Sequence, residues 1–247
     1  MLLYPNAKIN LGLNVVRKRS DGYHDIETLF FPVTDVCDVL EIVPSDGFRM
    51  NVLNCDIGGE NLCEKAWNLL SARFGIDPVT INLYKKIPMG AGLGGGSADA
   101  AFTLAGLNSL FGLGLPESEL AGLASQLGSD CAFFIYNRPM LARGRGEILT
   151  PFDFSLDGHQ LRIFPQDNVF VSTKEAYAGI SPRAPRHRIE SIVRRPVEEW
   201  RGLLVNDFEE TVFARYPSLA AAKQALYDEG AVYAAMSGSG SALFGIF

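Results

Sequence analysis

Apolar and polar residues alternate without a break from Ala7 to Val15. Ala7, Ile9, Leu11, Leu13 and Val15 fall on one side, and Lys8, Asn10, Gly12 and Asn14 on the other. A period of two is the side-chain period of an extended chain, so this segment is expected to be a half-buried strand, with one face in a core and the other wet. The runs TLFFPV, DVLEIV and VTINLYKKI are read as further strands. A helical period replaces the alternation in residues 61–74, 97–111 and 116–127, which are expected to be helices. Their ends carry matching signals: Asn61 can cap the first, Pro116 suits a first turn, and Gly75, Gly112 and Gly128 follow the last periodic residues.

A second set of elements begins near Pro151. It comprises a strand over 161–171, a short helix over 174–178, a basic connector, helices over 197–204 and 218–229, and a closing strand pair, AVYAAM and SALFGIF. Strands and helices interleave irregularly, which points to an α+β fold in two domains, residues 1–152 and 153–247, and away from a regular βαβ array. No internal repeat or low-complexity tract interrupts the pattern.

Composition narrows the classes. The chain has 247 residues, 47% of them apolar, ample for a core. A formal net charge of −6 argues against nucleic acid as a partner, because such binders carry a basic excess on one face. Cys37, Cys55, Cys63 and Cys131 form no CxxC pair, and His24, His159 and His187 form no cluster with them, so reduced, buried thiols are expected and not a zinc site. The start, MLLYPNAK, is broken by Pro5 and Lys8 before a signal-like core can form, and no run reaches ~18 apolar residues. The expectation is a cytoplasmic protein with no membrane partner.

The candidate chemistry lies in IPMGAGLGGGSADAAFTLAG. Gly90, Gly92 and Gly95 satisfy GxGxxG, a weak pattern whose flanks decide its meaning. A dinucleotide site needs a buried parallel strand before the loop and an acidic residue about 20 residues after it. Here the preceding run is half polar and ends in Pro88, and the passage LNSLFGLGLPESEL follows. No Gly-Lys-Ser/Thr closes the loop, which excludes the P-loop, and the protein-kinase motifs are missing. What remains is a glycine-rich loop feeding a helix at Ser97, where backbone N–H groups and the helix dipole form an anion site without a lysine. The alternative is close helix packing, which the small face of Ala98, Ala100, Ala101 and Ala105 also allows.

PMGAGLGGGSADAA resembles the second motif of the GHMP small-molecule kinases, Pro-x-Gly-x-Gly-Leu-Gly followed by small residues. PNAKINLGLNV with DGYHDIETLF is similar to the first motif, as it occurs in members acting on a cytidine-diphosphate-linked methylerythritol. MSGSGSALFG is similar to the third, and GSDCAFF to the segment that carries the catalytic aspartate. The four motifs follow in order over nearly the whole chain. The resemblance implies a two-domain GHMP kinase fold, with a ribosomal protein S5-like N-terminal domain and a ferredoxin-like C-terminal domain. It implies ATP and Mg²⁺ as cofactors, and phosphorylation of the 2-hydroxyl of 4-diphosphocytidyl-2-C-methyl-D-erythritol in the non-mevalonate isoprenoid pathway. Alternatives are a homoserine or mevalonate kinase, which DGYH and STKEAY disfavour, or a non-catalytic nucleotide-binding member, which the presence of both Lys8 and Asp130 disfavours. Members usually continue past the third motif with a helix and a strand, so the C-terminal domain is expected to be incomplete at Phe247. Neither metal ligands nor oligomeric state follow from the sequence.

The same resemblance distributes roles. Pro88, Met89, Gly90, Ala91, Gly92, Leu93, Gly94, Gly95, Gly96, Ser97 and Ala98 would hold the phosphates of ATP, and Asn61, Leu62 and Lys85 its adenine side. Asp130 would be the general base and Lys8 the cation beside it. Residue chemistry alone leaves Asp130 open to a helix-capping role, and Lys8 with Asn10 open to a solvated strand face. Tyr23 and His24, in the turn SDGYHD, would read as half-exposed loop residues. By resemblance they meet the cytosine together with Asn10, Thr173 and Tyr177, the last an aromatic on the opposite face of the base. Arg183, Arg186, Arg188, Arg194 and Arg195 are read as a solvated connector.

Overall fold

The computed structural model describes residues 1–166, 168–185 and 187–247. In chain order the elements are β1 (Leu2–Leu3), β2 (Asn6–Lys18), β3 (His24–Cys37), β4 (Val39–Pro44), β5 (Arg49–Val52), α1 (Leu62–Phe74), β6 (Val79–Tyr84), α2 (Gly95–Leu110), α3 (Glu117–Ala124) and α4 (Cys131–Tyr136). There follow β7 (Met140–Gly144), β8 (Ile148–Pro151), β9 (Leu161–Phe164), α5 (Thr173–Ala178), α6 (Ile189–Ile192), a 3-10 turn (Val197–Glu199), α7 (Phe208–Arg215), α8 (Pro217–Asp228), β10 (Tyr233–Met236) and β11 (Leu243–Ile246). The chain divides into two compact units. One holds Met1–Lys8, Pro32–Met89 and Gly94–Arg138, the other Ile9–Phe31, Gly90–Leu93 and Pro139–Phe247.

The first unit is a sheet of order β1-β4-β6-β5 under helices α1 to α4. Leu40 and Ile42 of β4 and Ile81 and Leu83 of β6 meet Ala66 and Leu70 of α1, Leu104 and Leu107 of α2 and Leu123 of α3 in one buried cluster. The opposite face of the sheet is polar, with Asn51 bonded to Asn82 and Asn82 to Glu41. Helix α1 begins where Asn61 Oδ1 accepts the Cys63 N–H at 2.8 Å and stops where Gly75, at φ +64°, returns its N–H to Ser71. The second unit pairs β3 with β7 and β7 with β8, and carries an antiparallel sheet of order β10-β11-β9. Its apolar core joins Met236 and Leu243 to Phe208, Val212, Leu219 and Leu226 of α7 and α8.

Several expectations are corrected. Strand β2 is buried on both faces from Asn6 to Val15, with Lys8 3%, Asn10 2% and Asn14 6% exposed, so its polar side is not wet. Residues 197–204 make only a 3-10 turn: Trp200 donates its indole N–H to the Arg195 carbonyl at 3.0 Å, and Gly202 at φ +79° ends the turn. Strand β9 stops at Phe164 because Pro165 follows and cannot donate to a ladder. Helix α3 ends at Ala124, where the Gln126 and Leu127 N–H groups bond three residues back and tighten the chain. Cys63 and Cys131 are buried, whereas Cys37 and Cys55 are half-buried; all four are free thiols.

Candidate active site

In the first unit the expected phosphate loop passes into α2. Gly94 caps this helix at φ +74° with no side-chain bond, and the first turn carries no acidic residue, unlike the first turns of α1 and α3. The first backbone N–H groups of α2 therefore have no side-chain acceptor, the condition for an anion site. The glycines also answer to packing. A Cβ on Gly94 would lie 2.8 Å from the Phe134 ring and 3.1 Å from Lys8 Cγ, and one on Gly95 3.0 Å from Ile87 Cγ2. Close packing and phosphate access thus demand the same residue type.

Lys8 projects to the start of α4, where its Nζ stands 3.6 Å from Asp130 Oδ2. Burial holds the ammonium below the usual lysine pKa, and the Asp130 charge offsets part of that effect. Asp130 occupies the cap position of α4 yet makes no capping bond, and its side chain keeps 30% of its surface in solvent. Ser97 lies beside this turn, its Oγ 3.9 Å from where a Gly128 Cβ would stand.

Asn61 spends its carbonyl oxygen on the α1 cap, and Leu62 reaches toward Gly96 at the start of α2. Lys85 is placed in the interior: its ammonium is bonded to Asp38 and Asp99, and its main-chain N–H and C=O both bond Asn54.

In the second unit Gly90–Leu93 lies against the third motif. Gly92 has φ +76°, and a Cβ on it would come within 2.0 Å of the Ser237 carbonyl oxygen. Ser237 Oγ donates to the Gly92 carbonyl at 2.9 Å, and the Ala242 N–H to Ala91 at 3.1 Å. Gly238, at φ +55°, faces Gly92 and Asn10 Oδ1, while the Asn10 amide donates to Thr28 Oγ1 at 3.0 Å. Sequence reasoning missed Asn206. Its amide donates to the Met236 and Gly238 carbonyls at 2.8 Å each and accepts the Phe208 N–H at 3.0 Å, which fixes the glycine turn of the third motif. An asparagine just before a helix was its only sequence signal.

Of the residues expected on the acceptor side, Tyr23, His24, Thr173 and Tyr177 lie in this unit. His24 and Tyr177 stack on each other, with centroids 4.7 Å apart and planes at 17°. His24 is held below its usual pKa by burial and by Lys18, so the imidazole is neutral near pH 7. Tyr23 is 57% exposed, with the Arg145 guanidinium over its ring at 5.0 Å. Thr173 Oγ1 lies 3.4 Å from Ser239 Oγ. In the basic connector Arg183 pairs with Asp207 and Glu210, Arg188 with Glu190 and Arg195 with Glu199, and Arg194 covers Phe152; Arg186 lies outside the described residues. Among the described residues no group of three His, Cys, Asp or Glu is arranged to hold a metal ion.

Residues 61–138 match the GHMP kinases N terminal domain family and residues 189–247 the GHMP kinases C terminal family. The chain belongs to the GHMP kinases. It is 52% identical over 254 residues to the 4-diphosphocytidyl-2-C-methyl-D-erythritol kinase of Bacteroides fragilis, covering 100% of this chain and 92% of that one. It is similar also to a crystal structure of 4-(cytidine 5'-diphospho)-2C-methyl-D-erythritol kinase, with TM-score 0.85, 34% identity and coverage of 100% and 90%. A Methanococcus jannaschii mevalonate kinase shares the fold at TM-score 0.70 and 14% identity, covering 100% of this chain and 90% of that one.

Proposed function

We infer that this chain is an ATP-dependent small-molecule kinase that phosphorylates 4-diphosphocytidyl-2-C-methyl-D-erythritol, on its 2-hydroxyl, in the non-mevalonate isoprenoid precursor pathway. The observation that carries the chemistry is the buried Lys8 beside the partly exposed Asp130, 3.6 Å apart. Asp130 accepts the proton of the acceptor hydroxyl as the hydroxyl oxygen bonds to the γ-phosphorus and the bond from the γ-phosphorus to the bridging oxygen breaks, releasing ADP. Lys8 stands beside the Asp130 carboxylate and offsets charge on the developing alkoxide. Phosphoryl transfer otherwise needs positioning and neutralisation, for which the amides of residues 88–98 serve. The Ser97 hydroxyl, at the start of α2, is a hard donor that would help hold Mg²⁺, which would neutralise phosphate charge there. Tyr23 and the outer faces of the His24–Tyr177 stack, whose rings at 4.7 Å leave no gap for a base between them, supply aromatic surface and one polar edge for the cytosine, with Asn10 and Thr173 assigned to the same substrate.

Asn61 and Leu62 belong to the adenine side of the same proposal, as does the Lys85 segment through its position before the loop. The division into an ATP-binding part, 1–152, and a C-terminal part, 153–247, and a cytoplasmic location complete it. No helix among the described residues is long and apolar enough to cross a membrane. Incubation with ATP and, separately, the cytidine-linked methylerythritol, mevalonate and homoserine, scored by ADP release, tests the reading. Release only with the first is expected. Release with either of the others and not the first would overturn it.

A further inference from the structure

The tip of the β7–β8 hairpin, in the second unit, carries an arginine to which phosphoryl transfer gives no role. Antiparallel pairing sets Gly144, the last residue of β7, opposite Ile26, so residues 145–147 fall alongside the turn that opens β3. The tip has a defined shape. Gly144 and Gly146 have φ of +69° and +112°, and a Cβ on Gly144 would lie 2.8 Å from Glu147 Oε2. The Glu147 carboxylate therefore folds back over the tip, where it accepts the Arg145 main-chain N–H at 2.5 Å and stands 3.7 Å from Arg145 Nε. The Arg145 guanidinium so held lies over the Tyr23 ring, 5.0 Å from its centre.

The turn itself fixes the main chain of Tyr23. The Tyr23 N–H donates to Asp21 Oδ1 at 3.1 Å, its carbonyl accepts the Arg19 N–H at 2.8 Å, and the Arg19 guanidinium ties Asp21 to Asp25. None of these bonds reaches the ring, which is 57% exposed. An aromatic ring standing that far into solvent exchanges rotamers unless a neighbour holds it, and a mobile ring must be ordered each time a ligand stacks on it. The next residue, His24, has one face taken by Tyr177, with centroids 4.7 Å apart. Tyr23 has one face taken by Arg145. Each of the two consecutive rings is thus backed from within the protein.

We propose that Arg145 is a positioning residue for the acceptor: its guanidinium braces one face of Tyr23 and so presents the opposite face, already ordered, to the cytosine. This rests on the reading that Tyr23 meets that base. A cation over an exposed aromatic face corresponds to about 2- to 5-fold in an equilibrium constant, which sets the size of the effect.

Steady-state kinetics with the cytidine-linked methylerythritol, on the parent, Arg145→Met, Tyr23→Ala and the double variant, tests the brace. Arg145→Met should raise KM for that substrate by about 2- to 5-fold while kcat, KM for ATP and the melting temperature stay at parent values. Arg145→Lys, which keeps a cation without the planar fork, should recover part of the loss. In the Tyr23→Ala background Arg145→Met should raise KM no further, because the ring through which it acts is gone. An equal rise in both backgrounds would show Arg145 acting on the substrate directly, through the charge of its diphosphate, and would overturn the proposal. An unchanged KM in Arg145→Met would also overturn it. So would a rise in KM that comes with lower kcat, weaker ATP binding and a lower melting temperature together, the mark of a hairpin that has lost its shape. Tyr23→Ala with the parent KM would count against the cytosine reading itself, and the brace would fall with it.

Discussion

Replacing Lys8 by methionine should abolish turnover without weakening the fold. The side chain is buried, and its depressed pKa means that desolvation outweighs the attraction of Asp130 at 3.6 Å. An apolar side chain of similar length removes the buried charge, and Asp130, 30% exposed, can be solvated where it stands. Exchanges of buried ion pairs for apolar groups range from neutral to about 1–4 kcal/mol stabilising, and the exposure of Asp130 argues for the lower half of that range. At roughly 2–4 °C per kcal/mol for a chain of this size, Lys8→Met should melt at the parent temperature or a few degrees above it. Asp130→Asn is the opposite case, since it removes the carboxylate that offsets the burial of Lys8. It should lose about 1–3 kcal/mol, less than the full cost of breaking a wholly buried pair. With desolvation less opposed, the Lys8 pKa in this variant falls further below its unfolded value. The unfolded chain then binds more protons than the folded one, so the stability deficit of Asp130→Asn should shrink as pH rises toward the unfolded lysine pKa. Both variants should lose turnover by ~10²-fold or more. Scanning calorimetry at pH 7 and 9, with single-turnover phosphoryl transfer, checks all of this. A Lys8→Met protein less stable than Asp130→Asn, or one with near-parent turnover, would refute the reasoning.

Three further outcomes follow. Gly95→Ala, at ordinary helical φ with its Cβ 3.0 Å from Ile87 Cγ2, should weaken Mg-ATP binding more than folding, whereas Gly94→Ala, at φ +74° and against Phe134, should lose both; calorimetry with thermal melts separates the two. The cytidine substrate should be preferred over its uridine analogue by at least ~10-fold in kcat/KM, since an unpaired polar group at a matched edge costs about 1–3 kcal/mol. His24→Ala should narrow that ratio and Tyr23→Ala should weaken both substrates alike; equal use of both by the parent would remove the cytosine assignment. Asn61→Ala should cost about 1 kcal/mol through the α1 cap, or roughly 2–4 °C of melting temperature, and an unchanged melt would show that the bond to Cys63 contributes nothing.

Local signals were legible where chain chemistry alone decides. Asn61 and Gly75 bound α1 as their side-chain oxygen and left-handed φ predict, and the strand pair at the chain end forms as the alternating runs suggest. What failed depends on partners distant in sequence. The polar residues of β2 look solvent-facing because a period of two says which side a residue takes and nothing about what covers that side. Helix α4 has six residues, too few to show a period, and α7 follows Asn206, which accepts the Phe208 N–H and whose amide is committed to carbonyls 30 and 32 residues on. The adenine-side role that the resemblance implies for Lys85 stays a proposal, while its ion pairs with Asp38 and Asp99, distant in sequence, could not be read from the chain alone.

The contact between Gly92 and the Ser237 carbonyl bears on how this enzyme could escape a blocker of the nucleotide site proposed at residues 88–98. The wall there is main chain on both sides, and the first carbon of any side chain at position 92 would overlap an oxygen at 2.0 Å. A compound that hydrogen-bonds to such a surface reads peptide groups, which point mutation leaves in place. Resistance would have to arise through residues that steer the loop from behind, Asn206 and Ser237 first among them, and each such change would disturb the natural nucleotide along with the drug.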